Sequence, residues 1–215
     1  MSRDFWDKNA EPWRQAIQSR LIESRKITNP AIIQEIVCRQ PRSVLDLGCG
    51  EGWIASQLVP EGIQYTGFDF SSKLIEIAKR SYPNASFESL SYDDLIQERW
   101  KKPNLFDLVV FNFSLFDEDL RPILRKASTY MKSSGSILVQ TLHPCFTLSP
   151  YVDGWKTEDF KSFPIPFDGT MPWYGRTLES WSKTFSESGL KLEKISEPLN
   201  PATQIPVSLI FALAL

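Results

Sequence analysis

The sequence predicts an α/β fold, a seven-stranded, mostly parallel sheet with helices on both faces. Three observations carry this. Short apolar runs alternate with amphipathic helical stretches along most of the chain, the pattern of a parallel sheet covered by helices. The run Phe106-Asp107-Leu108-Val109-Val110-Phe111 is almost wholly apolar, as a strand buried on both faces must be. Two final strand candidates flank a turn-rich segment, 198–204, which predicts an antiparallel pair at the C-terminal end.

In order, residues 3–40 read as helical, with a break at Asn29-Pro30. Pro30 suits the first turn of a new helix over 31–38. Ser43-Val44-Leu45-Asp46-Leu47 is a short apolar strand cut off by glycines, and 53–59 forms the helix after it. Residues 64–68 make a second strand. Ser71 or Ser72 caps a helix over 73–81, where Lys-Leu-Ile-Glu-Ile-Ala-Lys is in amphipathic order. A third strand falls at 85–90 and the fourth at 106–111. A helix covers 120–131 and ends near Ser133-Ser134-Gly135, and the fifth strand is 136–142. The alternation then stops. Residues 144–173 are rich in proline, glycine and aromatic rings, too long for a plain connection and typical of a lid or binding loop. A helix over 177–188 stops at Gly189, and strands at 191–197 and 206–213 complete the chain.

Bulk properties narrow the function. A chain of 215 residues fits one domain and can bury a core without metals or disulfides. Its formal net charge of −2 lacks the basic excess of a nucleic-acid binder. Cys38, Cys49 and Cys145 are odd in number and widely spaced, with no CxxC pair, so no metal site is expected and a reducing, cytoplasmic setting fits. The polar, acidic N-terminus is no signal peptide, and the longest apolar runs, such as 205–215, are too short to span a membrane.

The chemistry concentrates in Val44-Leu45-Asp46-Leu47-Gly48-Cys49-Gly50-Glu51-Gly52, a buried strand running into a glycine-dense turn before a helix. Glycines allow positive φ and close approach of backbone to a ligand. Amides at a helix start favour an electron-rich group. The spacing is G-x-G-x-G, with Trp53 where a dinucleotide fingerprint needs its third glycine. Asp46 stands two residues before the first glycine, where dinucleotide proteins usually carry an apolar residue. No Gly-Lys-Ser/Thr follows, so a P-loop is excluded.

These residues resemble the class I S-adenosylmethionine (SAM)-dependent methyltransferases, specifically the small-molecule group with a VLDLGCGxG motif. The resemblance runs in register through most of the chain and implies a Rossmann-like class I methyltransferase fold with an antiparallel C-terminal strand. It implies SAM as cofactor and S-adenosylhomocysteine (SAH) as product. Asp69, in Thr66-Gly67-Phe68-Asp69, looks like the family's acidic residue for the two ribose hydroxyls, and a carboxylate suits a vicinal diol. Residues 106–110 and 138–141 look like the family's fourth and fifth strands. The third-strand motif departs from the family: Ser91 and Tyr92 stand where an acidic and a small residue usually meet the adenine, with Asp93 as the alternative. Gly48, Cys49, Gly50, Phe70 and Asn112 complete the implied cofactor set with Asp46. Asn112-Phe113-Ser114-Leu115 is not the (N/D)PP(Y/F) of enzymes that methylate adenine or glutamine amino groups. Trp13-Arg14-Gln15-Ala16-Ile17, Gln140-Thr141-Leu142-His143-Pro144 and Met171-Pro172-Trp173-Tyr174 resemble a bacterial subgroup whose acceptor the resemblance leaves open.

The implied organisation is one methyltransferase domain, 1–215. It comprises an N-terminal helical cap (1–40), a SAM-binding core (43–142), a substrate lid (144–176) and a C-terminal helix with its strand pair (177–215). His143, the sole histidine, follows the fifth strand, at the sheet end where α/β proteins bind ligands; it is the expected general base and substrate contact. Trp155, Trp173 and Tyr174 are the expected substrate-pocket rings, and an arginine of the cap, Arg14 or Arg25, is a candidate for the methionine carboxylate. The acceptor is expected to be a small molecule presenting O, N, S or C, with no nucleic-acid or membrane partner. The rivals are a nicotinamide-dependent oxidoreductase and a non-catalytic scaffold of the same fold.

Overall fold

The computed structural model describes residues 3–100, 105–163 and 165–215. The N-terminal helices are α1 (Arg3–Lys8), α2 (Ala10–Gln18) and α3 (Arg25–Val37). The expected break at Asn29-Pro30 is not there. Pro30 lies inside α3, and the chain breaks instead before Arg25, where Arg20 takes φ +52°. Thr28, Ile32 and Ile36, four residues apart, are buried on one face of α3. That packing carries the helix past the hydrogen bond proline removes.

Then follow β1 (Ser43–Leu47), α4 (Ala55–Leu58) with a 3₁₀ turn, β2 (Gln64–Asp69), α5 (Ser72–Ser81), β3 (Ser86–Ser89), α6 (Tyr92–Ile96) and β4 (Phe106–Asn112). Ser71 caps α5, its side chain accepting from the Leu74 amide. The short α6 was not expected. Ser91 and Asp94 start it as a capping box, each side chain taking the other's backbone amide.

After β4 come α7 (Arg121–Ser128) and β5 (Met131–Thr141). The helix expected to reach Met131 ends earlier, because Met131 already pairs with Phe106 across the sheet. The register then shifts, with Leu108 opposite Ser136, and this irregularity absorbs Ser133 to Gly135. The insert holds α8 (Pro144–Thr147) and two strands, β6 (Gly154–Glu158) and β7 (Met171–Gly175), paired antiparallel in a sheet of their own. The chain closes with α9 (Leu178–Glu187), β8 (Lys191–Ser196) and β9 (Leu209–Ala214).

The main sheet has seven strands in the order β3-β2-β1-β4-β5-β9-β8. The first five run parallel, and β9 lies antiparallel to both β5 and β8, as expected. Alternation along the strands feeds two core layers. Leu45, Phe111, Val139 and Phe211 pack on the side of α7 and α9, with Trp181 and Phe185. Val44, Leu108, Val110 and Leu138 pack on the side of α3, α4 and α5, with Ile32, Ile36, Ile75 and Ala78. Both faces are therefore buried, and only the strand ends stay open for a site. Two small clusters bring the N-terminal helices over those ends. Ala10 packs with Leu74 and Ile77 of α5, and Phe5 packs with Phe160 and Met171 of the insert. No described helix is long and apolar enough to cross a membrane.

Candidate functional site

The loop after β1 is held down from below. The amides of Gly48 and Cys49 donate to the Phe68 carbonyl, at 2.7 and 2.9 Å. Gly48, Gly50 and Gly52 take φ of +84°, +57° and +83°, values open to glycine at little cost. At Gly48 a Cβ would stand 2.3 Å from that of Ser114, so the loop runs against the exit of β4. The Ser114 and Tyr92 hydroxyls both donate to the Leu47 carbonyl, at 2.7 and 3.1 Å. Asp69, at the end of β2, accepts from the Gly50 amide (3.0 Å) with Oδ2 and from the Ser71 amide (2.9 Å) with Oδ1. Its carboxylate thus ties the glycine loop to the start of α5.

A cavity of about 320 Å³ opens between this loop, the N-terminal helices and the insert. Of the expected cofactor residues, Asp46, Gly48, Cys49, Gly50, Asp69, Phe70, Ser91, Tyr92 and Asn112 all line it, as does Asp93. The Ser91 hydroxyl donates to Asp94 and accepts from its amide, which leaves it one lone pair. Arg25 also lines the cavity, while Arg14 turns outward to Glu11 and Gln18; of the two arginines, Arg25 is the one at the site.

Sequence reasoning missed Glu51, which projects into the cavity from the middle of the glycine motif. It also missed Asp117 and Glu158, which line the opposite wall. Glu51 carried a legible signal in its position between Gly50 and Gly52. Asp117 and Glu158 carried none, since a loop and an edge strand bring them in.

Several polar atoms of this lining are buried without a protein partner: Asp46 Oδ1, both carboxylate oxygens of Glu51, Arg25 Nη1 and Asn112 Oδ1. Each such atom costs about 1–3 kcal/mol unless something satisfies it. Burial pushes Asp46 up to about 7, against the Tyr65 hydroxyl that bonds its other oxygen. Burial likewise pushes Glu51 up to about 7, opposed by the charge of Arg25, and Asp69 up to about 6, opposed by its two amide donors. Desolvation draws Arg25 down to about 10, with Glu51 pulling the other way. Its guanidinium lies 4.4 Å from the Phe113 ring centre and 5.6 Å from that of Trp13. The arrangement suits a ligand that carries a cationic group, an anionic group and a hydroxylated portion at once.

Three expected residues are not on the cavity wall. His143 is 4% exposed and turns away, its Nε2 2.9 Å from Glu197 and its ring beside Phe146. A base must reach its proton directly or through one water, and the wall at this strand end is Leu142 instead. Trp155 is 55% exposed, with its ring on Tyr174. Strand alternation is the reason: Trp155 pairs with Tyr174 on the outer face of the small sheet, while Glu158, Met171 and Trp173 share the inner one. Of the three expected rings, only Trp173 reaches the cavity, joined there by Phe160 and Phe163.

Residues 16–195 match a family model described as "Methyltransferase domain". The chain belongs to this family. Among relatives of this methyltransferase-domain protein, a malonyl-[acyl-carrier protein] O-methyltransferase of Halalkalibacterium halodurans is 28% identical over 112 residues, 49% of this chain and 41% of that protein. A ubiquinone biosynthesis O-methyltransferase of Albidiferax ferrireducens is 30% identical over 105 residues, 47% of this chain and 42% of that protein. The matched part thus spans about two-fifths of those relatives. Among solved structures, magnesium protoporphyrin IX methyltransferase from Synechocystis PCC 6803, with bound SAH, is similar with TM-score 0.69 at 16% identity over 99% of this chain and 97% of that one. A SAM-dependent methyltransferase from Clostridium acetobutylicum gives 0.64 at 14% identity over 98% of each chain. At these identities the likeness establishes the Rossmann-like methyltransferase fold. Among the described residues, no group of three or more His, Cys, Asp or Glu side chains is placed to hold a metal ion.

Proposed function

We propose that this protein is a SAM-dependent methyltransferase acting on a small-molecule acceptor. One observation carries the reading: Asp46 Oδ1, both Glu51 carboxylate oxygens and Arg25 Nη1, all buried and unpaired, line one cavity with the glycine loop, in a chain of the methyltransferase-domain family. The donor set fits the cofactor. Asp69 takes the ribose hydroxyls. Arg25 Nη1 takes the methionine carboxylate, with Asp46 and Glu51 as acceptors for its ammonium. Gly48, Cys49 and Gly50 leave room for backbone approach, Phe70 lies beside the ribose, and Ser91, Tyr92 and Asp93 border the adenine end.

When bound, SAM supplies an activated methyl group on a sulfonium centre. The protein's task is to align the acceptor with it and exclude water. The N-terminal helices act as a cap, residues 43–142 as the cofactor core and 144–176 as the lid. Trp173, Phe160 and Phe163 give the lid its inner face. His143, held by Glu197 behind the wall, acts as a positioning residue at the β5–α8 junction. The three free cysteines suit a reducing, cytoplasmic setting. Against the nicotinamide reading stands the sheet order, in which antiparallel β9 sits between β5 and β8; the dinucleotide fold continues in parallel. Equilibrium binding tests the assignment. Asp69→Ala is expected to weaken SAM binding about tenfold or more, and unchanged affinity would refute the ribose role.

A further inference from the structure

We propose that Asn9 is a positioning residue that latches the lid to the N-terminal helices, and that the seam it closes is the gate through which SAM enters and SAH leaves; this rests on the methyltransferase reading above. Trp6 and Trp13 of the N-terminal helices and Phe160 and Phe163 of the lid all line the cavity, so the seam between the two segments is part of its wall. Asn9 lies behind that lining, 1% exposed, at the junction of α1 and α2. Its Oδ1 accepts from the Asp168 amide at 2.7 Å, and its Nδ2 donates to the Asp168 carbonyl at 2.9 Å and the Phe5 carbonyl at 2.8 Å. One carboxamide thus satisfies both backbone groups of a lid residue, which needs a donor and an acceptor on the same side chain. Rings close the rest of the seam. Phe5 stacks on Phe160 with centres 5.2 Å apart, and Phe167 packs on both Phe160 (4.7 Å) and Trp13 (6.4 Å).

The two sides of the seam are unequal. The N-terminal helices are fixed to the core, where the Ser71 hydroxyl donates to Asp7 at 2.5 Å and Ala10 packs with Leu74 and Ile77 of α5. The lid's strands, β6 and β7, form a two-stranded sheet of their own. Such a sheet is marginal alone, so its closed position depends on what it docks against. Phe160 loads that position further. Its φ of +54° is a left-handed conformation, unfavourable for a ring residue, held by the Glu158 carboxylate on its amide and by Phe5 on its ring. The lid is therefore the side that opens, and Asn9 sets how often. The latch is made of protein groups alone and holds the empty and the filled site equally. Weakening it speeds entry and exit by the same factor and leaves affinity where it was.

Stopped-flow tryptophan fluorescence of the full chain would follow SAH binding and release. Asn9→Ala is expected to raise both rate constants about tenfold and to leave the dissociation constant within about twofold. Phe167→Ala, which removes a ring from the lid side, is expected to act in the same direction and stands in should Asn9→Ala not fold. Amide hydrogen exchange without ligand gives a second measure. Exchange in β6 and β7 is expected to rise about tenfold in Asn9→Ala, with β1 and β4 unchanged. Weakened affinity at an unchanged association rate, or no change in either rate, would overturn the gate. So would faster exchange spread equally over β1 and β4, which would assign Asn9 to the fold as a whole. Failure of SAH to bind would count against the methyltransferase reading instead, and the exchange measurement would still decide this one.

Discussion

Gly48 is the residue at which the loop's geometry leaves least choice. Its φ of +84° strains any L side chain, and a methyl group there would meet the Ser114 Cβ at 2.3 Å. Gly48→Ala is therefore expected to destabilise the fold by about 2–4 kcal/mol and to disrupt SAM binding, read by thermal melting and titration. Arg25 behaves in the opposite way. Its Nη1 is buried and unpaired, so the folded chain carries a desolvation cost that binding relieves. Arg25→Met is expected to leave the melting temperature unchanged or raised while weakening SAM and SAH by about tenfold or more. A stability loss with unchanged affinity would mean that Arg25 serves the fold and not the ligand.

Among the elements, α9 is joined to the sheet by aromatic rings packed at tilted and edge-to-face angles. Phe185 is 1% exposed, with ring centres 5.5 Å from Trp181 and 5.1 Å from Phe211 on β9. Phe185→Ala is expected to cost about 3–5 kcal/mol, seen as a lower denaturant midpoint. The helix itself was legible over 177–188 with Gly189 as its stop, and both ends hold: the Thr177 side chain accepts from the Ser180 amide as the N-cap, and Gly189 takes φ +77°. The parallel strands were legible because burial on both faces makes each a short apolar block. Elements whose shape depends on distant partners were not. Pro30 reads locally as a helix start, but burial of Thr28, Ile32 and Ile36 overrides it. Met131 reads as the end of a helix until Phe106 pairs with it. The strands of the insert hide because β6 is half exposed and β7 carries a proline. The capping box of α6 was visible as Ser91-x-x-Asp94, in residues read only as adenine contacts.

Across the whole molecule, the cofactor half of the site was more legible than the acceptor half. Asp46, Gly48, Gly50 and Asp69 sit at the ends of adjacent strands, so one motif and one spacing place them together. The acceptor wall is assembled from the loop after β4, the end of β5 and the inner face of a small sheet. Period-two alternation in that sheet admits Trp173 and excludes Trp155 and Tyr174, which composition cannot reveal.

The site's charge has a consequence for the entire fold. Asp46 and Glu51 are pushed up to about 7 and Asp69 to about 6, all above the ordinary carboxylate range. Between about pH 4 and about pH 7 the folded, ligand-free chain therefore holds protons that the unfolded chain releases, and these groups lower stability as pH rises through that window. SAM requires the ionised forms, so its affinity is expected to rise from about pH 5 to about pH 8 and level off above, the reverse of the trend in ligand-free stability. Parallel melting and binding titrations over pH check both signs. An affinity that falls across this range would show that the ionised acids do not hold the ligand.

The central claim is that this cavity is a SAM site, and calorimetric titration of the unmodified chain with SAM, SAH and NADH tests it most directly. Micromolar binding of SAM and SAH with none of NADH is the predicted result. Binding of NADH alone, or of none of the three, would contradict it.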